Sequence, residues 1–213
     1  MKFHSLLKVC RTSLSQNRLG ALELEYRLLI WQSFGAVSYR QGQLLYGVGW
    51  RCRTQLDRLC VEYVLPHWRR VFPQSDEPEQ LLMLTDRFAQ KKVDQATLKL
   101  AREKARTQVL HLMNTFQNQS AFGVLLAACR MTTTYLSDEI ILTSRLHSIE
   151  TLKEDFQIDV QELDTAWHAS MVYSGMEYDP TTSKVIRRRR EFWKWYLQKA
   201  VPTVLKNESI EGL

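Results

Sequence analysis

Leu98-Lys99-Leu100-Ala101-Arg102-Glu103-Lys104-Ala105-Arg106-Thr107-Gln108-Val109-Leu110-His111-Leu112-Met113-Asn114-Thr115-Phe116 decides how this chain folds. Leu98, Ala101, Ala105, Val109, Leu112 and Phe116 recur at spacings of three and four. That repeat gathers apolar side chains along one side of an α-helix. The small residues Ala101 and Ala105 let a neighbouring helix come close, and Asp94 stands ready to cap the helix start.

The segments on either side read the same way. Ser120 opens a helix with Leu125, Ala128, Cys129, Met131 and Thr132 turned inward. Its 122–129 stretch is almost unbroken apolar, which predicts the central, most buried helix. Upstream, Pro73 to Pro78 forms a polar turn, with Ser75 or Asp76 as cap and Pro78 suited to a first helical turn. The helix over 78–90 then buries Leu81, Leu84 and Phe88. Residues 50–64 read as a helix with Leu56, Leu59, Cys60 and Tyr63 on one face, which Pro66 should bend or end because it lacks a backbone donor.

At the N-terminus, residues 2–15 suit an amphipathic helix through Phe3, Leu6, Leu7 and Cys10. Residues 22–28 alternate with period two, as a strand would, yet Leu24, Leu28 and Trp31 also fit a helix; the helix is preferred because no partner strand is evident. Gly35, Gly42, Gly47 and Gly49 loosen the chain before residue 50. Downstream, Ser137 with Asp138 and Glu139 is a good helix start, followed by helices over 138–156 and 159–173. A loop from Gly175 to Ser183 leads to a basic aromatic helix over 184–199, which Pro202 should end, and residues 207–213 should fray.

The whole is expected to be an all-α, single-domain multi-helix bundle over residues 1–213, with its core at about 50–138 and the basic aromatic helix (184–200) packed across it. Only 8 Gly and 5 Pro in 213 residues favour long helices over many short strands. The four cysteines, Cys10, Cys52, Cys60 and Cys129, match no metal-knuckle spacing and sit among apolar residues, as free thiols of a reducing cytoplasm do. No apolar run is long enough to span a bilayer.

Net charge is +6, but it is segregated. Residues 1–72 carry eleven Lys/Arg against four Asp/Glu, residues 137–165 carry two against eight, and residues 181–206 carry eight against one. The acidic block (Asp138, Glu139, Glu150, Glu154, Asp155, then Asp159, Glu162 and Asp164) reads as an internally paired or solvated face, or as a patch that captures a basic partner. The run Arg187-Arg188-Arg189-Arg190-Glu191-Phe192-Trp193-Lys194-Trp195-Tyr196 offers two further readings. One has the arginines neutralise phosphates while Trp193, Trp195 or Tyr196 stack on bases. The other has the rings in the core, with the arginines flanking them. Catalytic signatures are absent: GxSxG, GxGxxG and GxxxxGK[ST] do not occur, and His147-Ser148-Ile149-Glu150 reverses the Glu-x-x-His order of di-metal bundles. No enzyme, metal or cofactor is therefore expected.

Cys60-Val61-Glu62-Tyr63-Val64-Leu65-Pro66, then Phe72-Pro73, Asp76-Glu77-Pro78, the 79–90 and 94–117 helices and Ala-rich Ser120 to Asp138 together resemble the Imm5-like family of bacterial immunity proteins, over roughly 52–138. The resemblance implies a helical cytoplasmic protein that binds and neutralises a cognate toxin without catalysis. It carries no residue-level binding motif, so the candidate contacts come from charge and aromatic content. Asp138, Glu139, Glu150, Glu154 and Asp155 would attract a basic partner, and Arg187–Arg190 with exposed members of Trp193, Trp195 and Tyr196 would anchor what docks on the basic end. The alternative is a helical nucleic-acid binder using Arg187–Arg190.

Overall fold

In a computed structural model, residues 3–35, 39–40, 43–44, 46–115, 119–137, 163–175 and 181–208 are described. They form helices α1 (Phe3–Gln16), α2 (Leu24–Ser33), α3 (Val48–Val71), α4 (Glu77–Ala89), α5 (Gln95–Thr115), α6 (Gln119–Ser137), α7 (Thr165–Ser174), α8 (Ser183–Trp195) and α9 (Val201–Asn207). A π-helical turn, Tyr196–Ala200, joins α8 to α9. The sheet content described is one antiparallel ladder, β1 (Tyr39–Arg40) paired with β2 (Gln43–Leu44). The expected all-α multi-helix bundle is what the chain forms.

α6 is the axis, as its apolar composition predicts. It packs against α3, α4, α5 and α7, and Phe122, Val124, Leu125, Ala127, Ala128 and Met131 are buried there. On α5, Leu98, Ala105 and Val109 face the core, and the Thr97 backbone N–H donates to Asp94 Oδ1 at 2.7 Å, closing the expected cap. Pro78 lies in the first turn of α4, behind Asp76. From Leu24 onward the 22–28 segment is helical: Leu24, Arg27, Leu28, Ile30 and Trp31 are buried along α2, so contacts on several sides override the period-two pattern. All four cysteines are free and buried.

Three expected boundaries move. Pro66 does not end α3, which continues to Val71. The carbonyl that Pro66 leaves without a helical donor is that of Glu62, and both residues lie on the exposed face, where water can meet it. Buried Val64, Leu65 and Trp68 hold the helix on the far side. Pro202 does not end the C-terminal helix either. The Val201 backbone N–H bonds to Tyr196 O across the π-turn, and Pro202 then falls in the first turn of α9, where a missing donor costs little. The helix expected over 159–173 begins instead at Thr165, capped by Asp164, whose Oδ1 accepts from the Trp167 N–H at 2.9 Å. Ser137 closes α6, its hydroxyl donating to Thr133 O at 3.0 Å. The helix expected over 138–156 lies outside the described residues.

The turn between α1 and α2 is pressed against α8. Asn17 Oδ1 accepts from the backbone N–H groups of Leu19 and Ala21 at 2.9 and 3.1 Å, and Gly20 follows at φ +66°. A Cβ on Gly20 would stand 2.4 Å from Ile186 O and 3.3 Å from Arg190 Cβ. Gly20→Ala is therefore expected to cost about 2–4 kcal/mol through left-handed strain and a backbone clash. Scanning calorimetry should show a midpoint lowered by roughly 4–12 °C; a shift under about 2 °C would mean that the turn yields freely.

Candidate functional site: the seam between α3, α7 and α8

The four consecutive arginines do not act as one strip. In a helix successive side chains point about 100° apart, and each of these meets a different neighbour. Arg187 is 73% exposed, with Glu191 one turn away at 3.8 Å. The Arg188 guanidinium lies over the Tyr173 ring, 5.6 Å from its centroid. Arg189 is buried and donates to Leu19 O at 3.4 Å. Arg190 donates to Asn17 O at 2.7 Å. Two of the four thus clamp the α1–α2 turn and are not open to a string of phosphates.

The aromatics divide in the same way. Phe192, Trp193 and Tyr196 are fully buried. Trp193 and Tyr196, two of the three rings whose exposed members the sequence offered as anchors, are buried in the core. Trp195 is half-buried and stacks on Tyr63 of α3, with centroids 3.8 Å apart and planes at 14°. Tyr63 stacks in turn on Tyr173 of α7 at 5.3 Å and 29°, and His67 meets Tyr173 edge-on at 6.3 Å. The result is a half-buried ladder of rings along the seam, crossed by Arg188.

Helical spacing puts Tyr63, His67 and Arg70 along one stripe of α3, and Lys184, Arg188, Glu191 and Trp195 along one stripe of α8. Arg187 and Lys194 border the second stripe on its exposed side. Among the described residues, the surface around the ladder therefore carries five cations (Arg70, Lys184, Arg187, Arg188 and Lys194) and one carboxylate, Glu191. Burial lowers the His67 pKa, with Arg70 and Arg188 adding to the effect, so the imidazole is neutral near pH 7. Burial first, then the hydrogen bond to Tyr173, pushes Tyr63 up to about 12. The seam offers fixed rings and fixed positive charge.

Beneath it lies a buried polar cluster. Arg27 Nε donates to Asp164 Oδ2 at 2.8 Å and Arg27 Nη1 to Leu22 O at 2.7 Å, while the guanidinium sits 5.5 Å from the Trp193 ring centroid. Asp57 of α3 accepts from the Thr134 hydroxyl of α6 at 2.7 Å. Burial is the main reason its pKa rises to about 7, with nearby Asp164 adding to the rise and the Thr134 and Thr165 hydroxyls and Arg130 opposing it. Burial likewise holds the Cys60 thiol and the Tyr196 phenol well above their ordinary values, so both are neutral. These groups tie α2, α3, α6 and α7 together. Among the described residues no group of three or more His, Cys, Asp or Glu is arranged to hold a metal ion. No described helix is long and apolar enough to cross a membrane.

A family model described as immunity protein Imm5 matches residues 7–203. The chain belongs to the Imm5 family. Comparison with curated proteins finds no match. The Imm5 match reaches well beyond the 52–138 stretch that carries the sequence resemblance, taking in most of α1, all of α2 and the whole basic aromatic helix. That breadth fits the structure, in which Arg189 and Arg190 join the two ends of the chain. Asp138, Glu139, Glu150, Glu154 and Asp155 lie outside the described residues.

Sequence reasoning did not single out Tyr63, His67, Arg70 and Tyr173 as a surface. The i, i+4, i+7 spacing on α3 was readable, but its reading placed Tyr63 on the inward face. Nothing local in the sequence pairs Tyr63 with Trp195.

Proposed function

We propose that this protein is a non-enzymatic immunity protein, of one domain, that neutralises a cognate toxin by binding and covering its active surface in the cytoplasm. The observation that carries this reading is the Imm5 match over nearly the whole chain. The disposition of chemistry supports it. Cys60, Asp57 and Tyr196, the side chains whose pKa values depart furthest upward, sit in the core among their interhelical neighbours, while the aromatic and arginine residues that dominate protein interfaces reach the surface at the α3–α7–α8 seam. Asp138, Glu139, Glu150, Glu154 and Asp155 offer the opposite charge to any basic stretch of the same toxin.

The reading is tested by co-expression with the toxin encoded beside this chain's own gene. Toxin alone should arrest growth, and this chain should restore it and co-purify with the toxin at a fixed ratio. Growth arrest that persists despite soluble, folded protein, with no complex on gel filtration, would sink it.

A further inference from the structure

We propose that the α3–α7–α8 seam is the docking surface for a carboxylate-rich segment of the toxin, with Arg188 and Lys194 meeting its carboxylates and Trp195 forming the apolar floor. This rests on the immunity reading and goes beyond it by naming the surface and the chemistry that it receives.

Three observations carry the proposal. The first is charge: among the described residues five cations border the ladder against one carboxylate, Glu191, which Arg187 engages. The second is order. Arg188 is held over Tyr173, and Trp195 is held flat on Tyr63. A guanidinium and an indole fixed in advance lose little conformational freedom when a partner arrives, which favours their use as anchors. The third distinguishes a protein from a nucleic acid. Bases need open ring faces, and here Tyr63 and Trp195 cover each other while Tyr173 lies between Tyr63 and Arg188. A backbone of evenly spaced phosphates also needs a continuous row of cations, and Arg189 and Arg190 are turned onto backbone carbonyls. A few fixed carboxylates on a folded or extended polypeptide suit the remaining geometry, since a guanidinium binds them through paired, charge-assisted hydrogen bonds.

The other exposed features say less. Leu100 and Leu110 on the outer side of α5 and Met83 on α4 are exposed, but nothing in the structure shows what covers them. The groove of about 480 Å³ between α1 and α2, bordered by Lys8, Val9 and Tyr26, has mixed polarity and no bias toward one ligand.

The experiment uses the full chain with three probes: the purified neighbouring-gene toxin, a fluorescein-labelled deca-glutamate peptide, and deoxythymidine decanucleotide of similar charge. Two double variants are compared, Arg188→Glu/Lys194→Glu in the seam and Lys99→Glu/Lys104→Glu on exposed α5. Both change net charge equally, so non-specific attraction cancels. The seam pair should weaken toxin and deca-glutamate binding by about 30-fold or more, the scale of an interface hot spot, and the α5 pair should change it by less than about twofold. The Trp195 indole N–H resonance should shift on titration with deca-glutamate. Equal losses for the two pairs, or tighter binding of the decanucleotide than of deca-glutamate, would overturn the proposal. Toxin that binds wild type and seam variant alike would overturn it while leaving the immunity reading intact. Deca-glutamate binding at the seam with no toxin binding at all would sink that reading alone. Melting curves matching wild type establish that each variant is folded; if the first pair is not, Lys194→Glu with Trp195→Ala replaces it.

Discussion

Asp164→Ala should lose roughly 4 kcal/mol of folding free energy, among the largest costs for any single polar substitution in this chain. Two effects combine. The Arg27–Asp164 pair is nearly dry, with side chains 2% and 12% exposed. Removing the carboxylate takes away the acceptor of the Arg27 Nε–H in a site where the guanidinium is buried, faces the Trp193 ring and also donates to Leu22 O. Breaking a buried ion pair by removing one partner typically costs about 3–5 kcal/mol. Asp164 also caps α7 through the Trp167 N–H, and loss of such a cap costs about 1 kcal/mol. Asp164→Asn separates the two, since the amide oxygen can still cap but carries no charge; it should recover only the smaller part. Urea unfolding of the three proteins at one pH measures both steps. A loss below about 1 kcal/mol for the alanine variant would show that Arg27 finds another anion.

Asp57→Asn should change the pH dependence of stability more than its magnitude at any one pH. The Asp57 pKa is raised from 3.8 to about 7 in the fold, chiefly because burial disfavours the carboxylate. The folded state then holds the proton more tightly than the unfolded chain. The stability contributed by the neutral acid is complete below the unfolded pKa and is lost as pH rises through the folded one. Between pH 5 and pH 8, wild type should lose about 2–3 kcal/mol relative to the asparagine variant, at most about 1.4 kcal/mol per pH unit. The groups facing Asp57 set where this happens: Thr134 of α6, Thr165 and Asp164 at the start of α7, and Arg130 of α6. Asparagine keeps an acceptor for the Thr134 hydroxyl and has no charge to bury. Unfolding curves at several pH values give the difference directly, and parallel profiles for the two proteins would refute a protonated Asp57.

The same physics explains which parts of the site were legible beforehand. The RRRR-EFWKWY run was visible as a cluster, and its helical spacing already separated Phe192 and Tyr196 from Trp193 and Leu197. Both of those faces turn inward, because α7 and the turn after α1 lie beside α8. Of the three rings whose exposed members were candidate anchors, Trp195 alone is left partly exposed for that reason. Asp57 gave no signal at all: an aspartate in a basic, amphipathic helix looks solvated until α6 and α7 close over it.

What the sequence determined alone was the helical nature of the chain and the identity of its central helix. The three–four spacing from Leu98 onward, the apolar 122–129 run and the Asp94 cap act within one helix or against any apolar neighbour, so they need no knowledge of the fold. Tertiary contact decided the rest: that the chain is helical from Leu24, that Pro66 and Pro202 interrupt nothing, that Arg189 and Arg190 hold the chain's two ends together, and that Trp195, Tyr63 and Tyr173 form one surface. Each of these depends on residues tens to more than a hundred positions apart, whose interaction energy exists only after the helices have met.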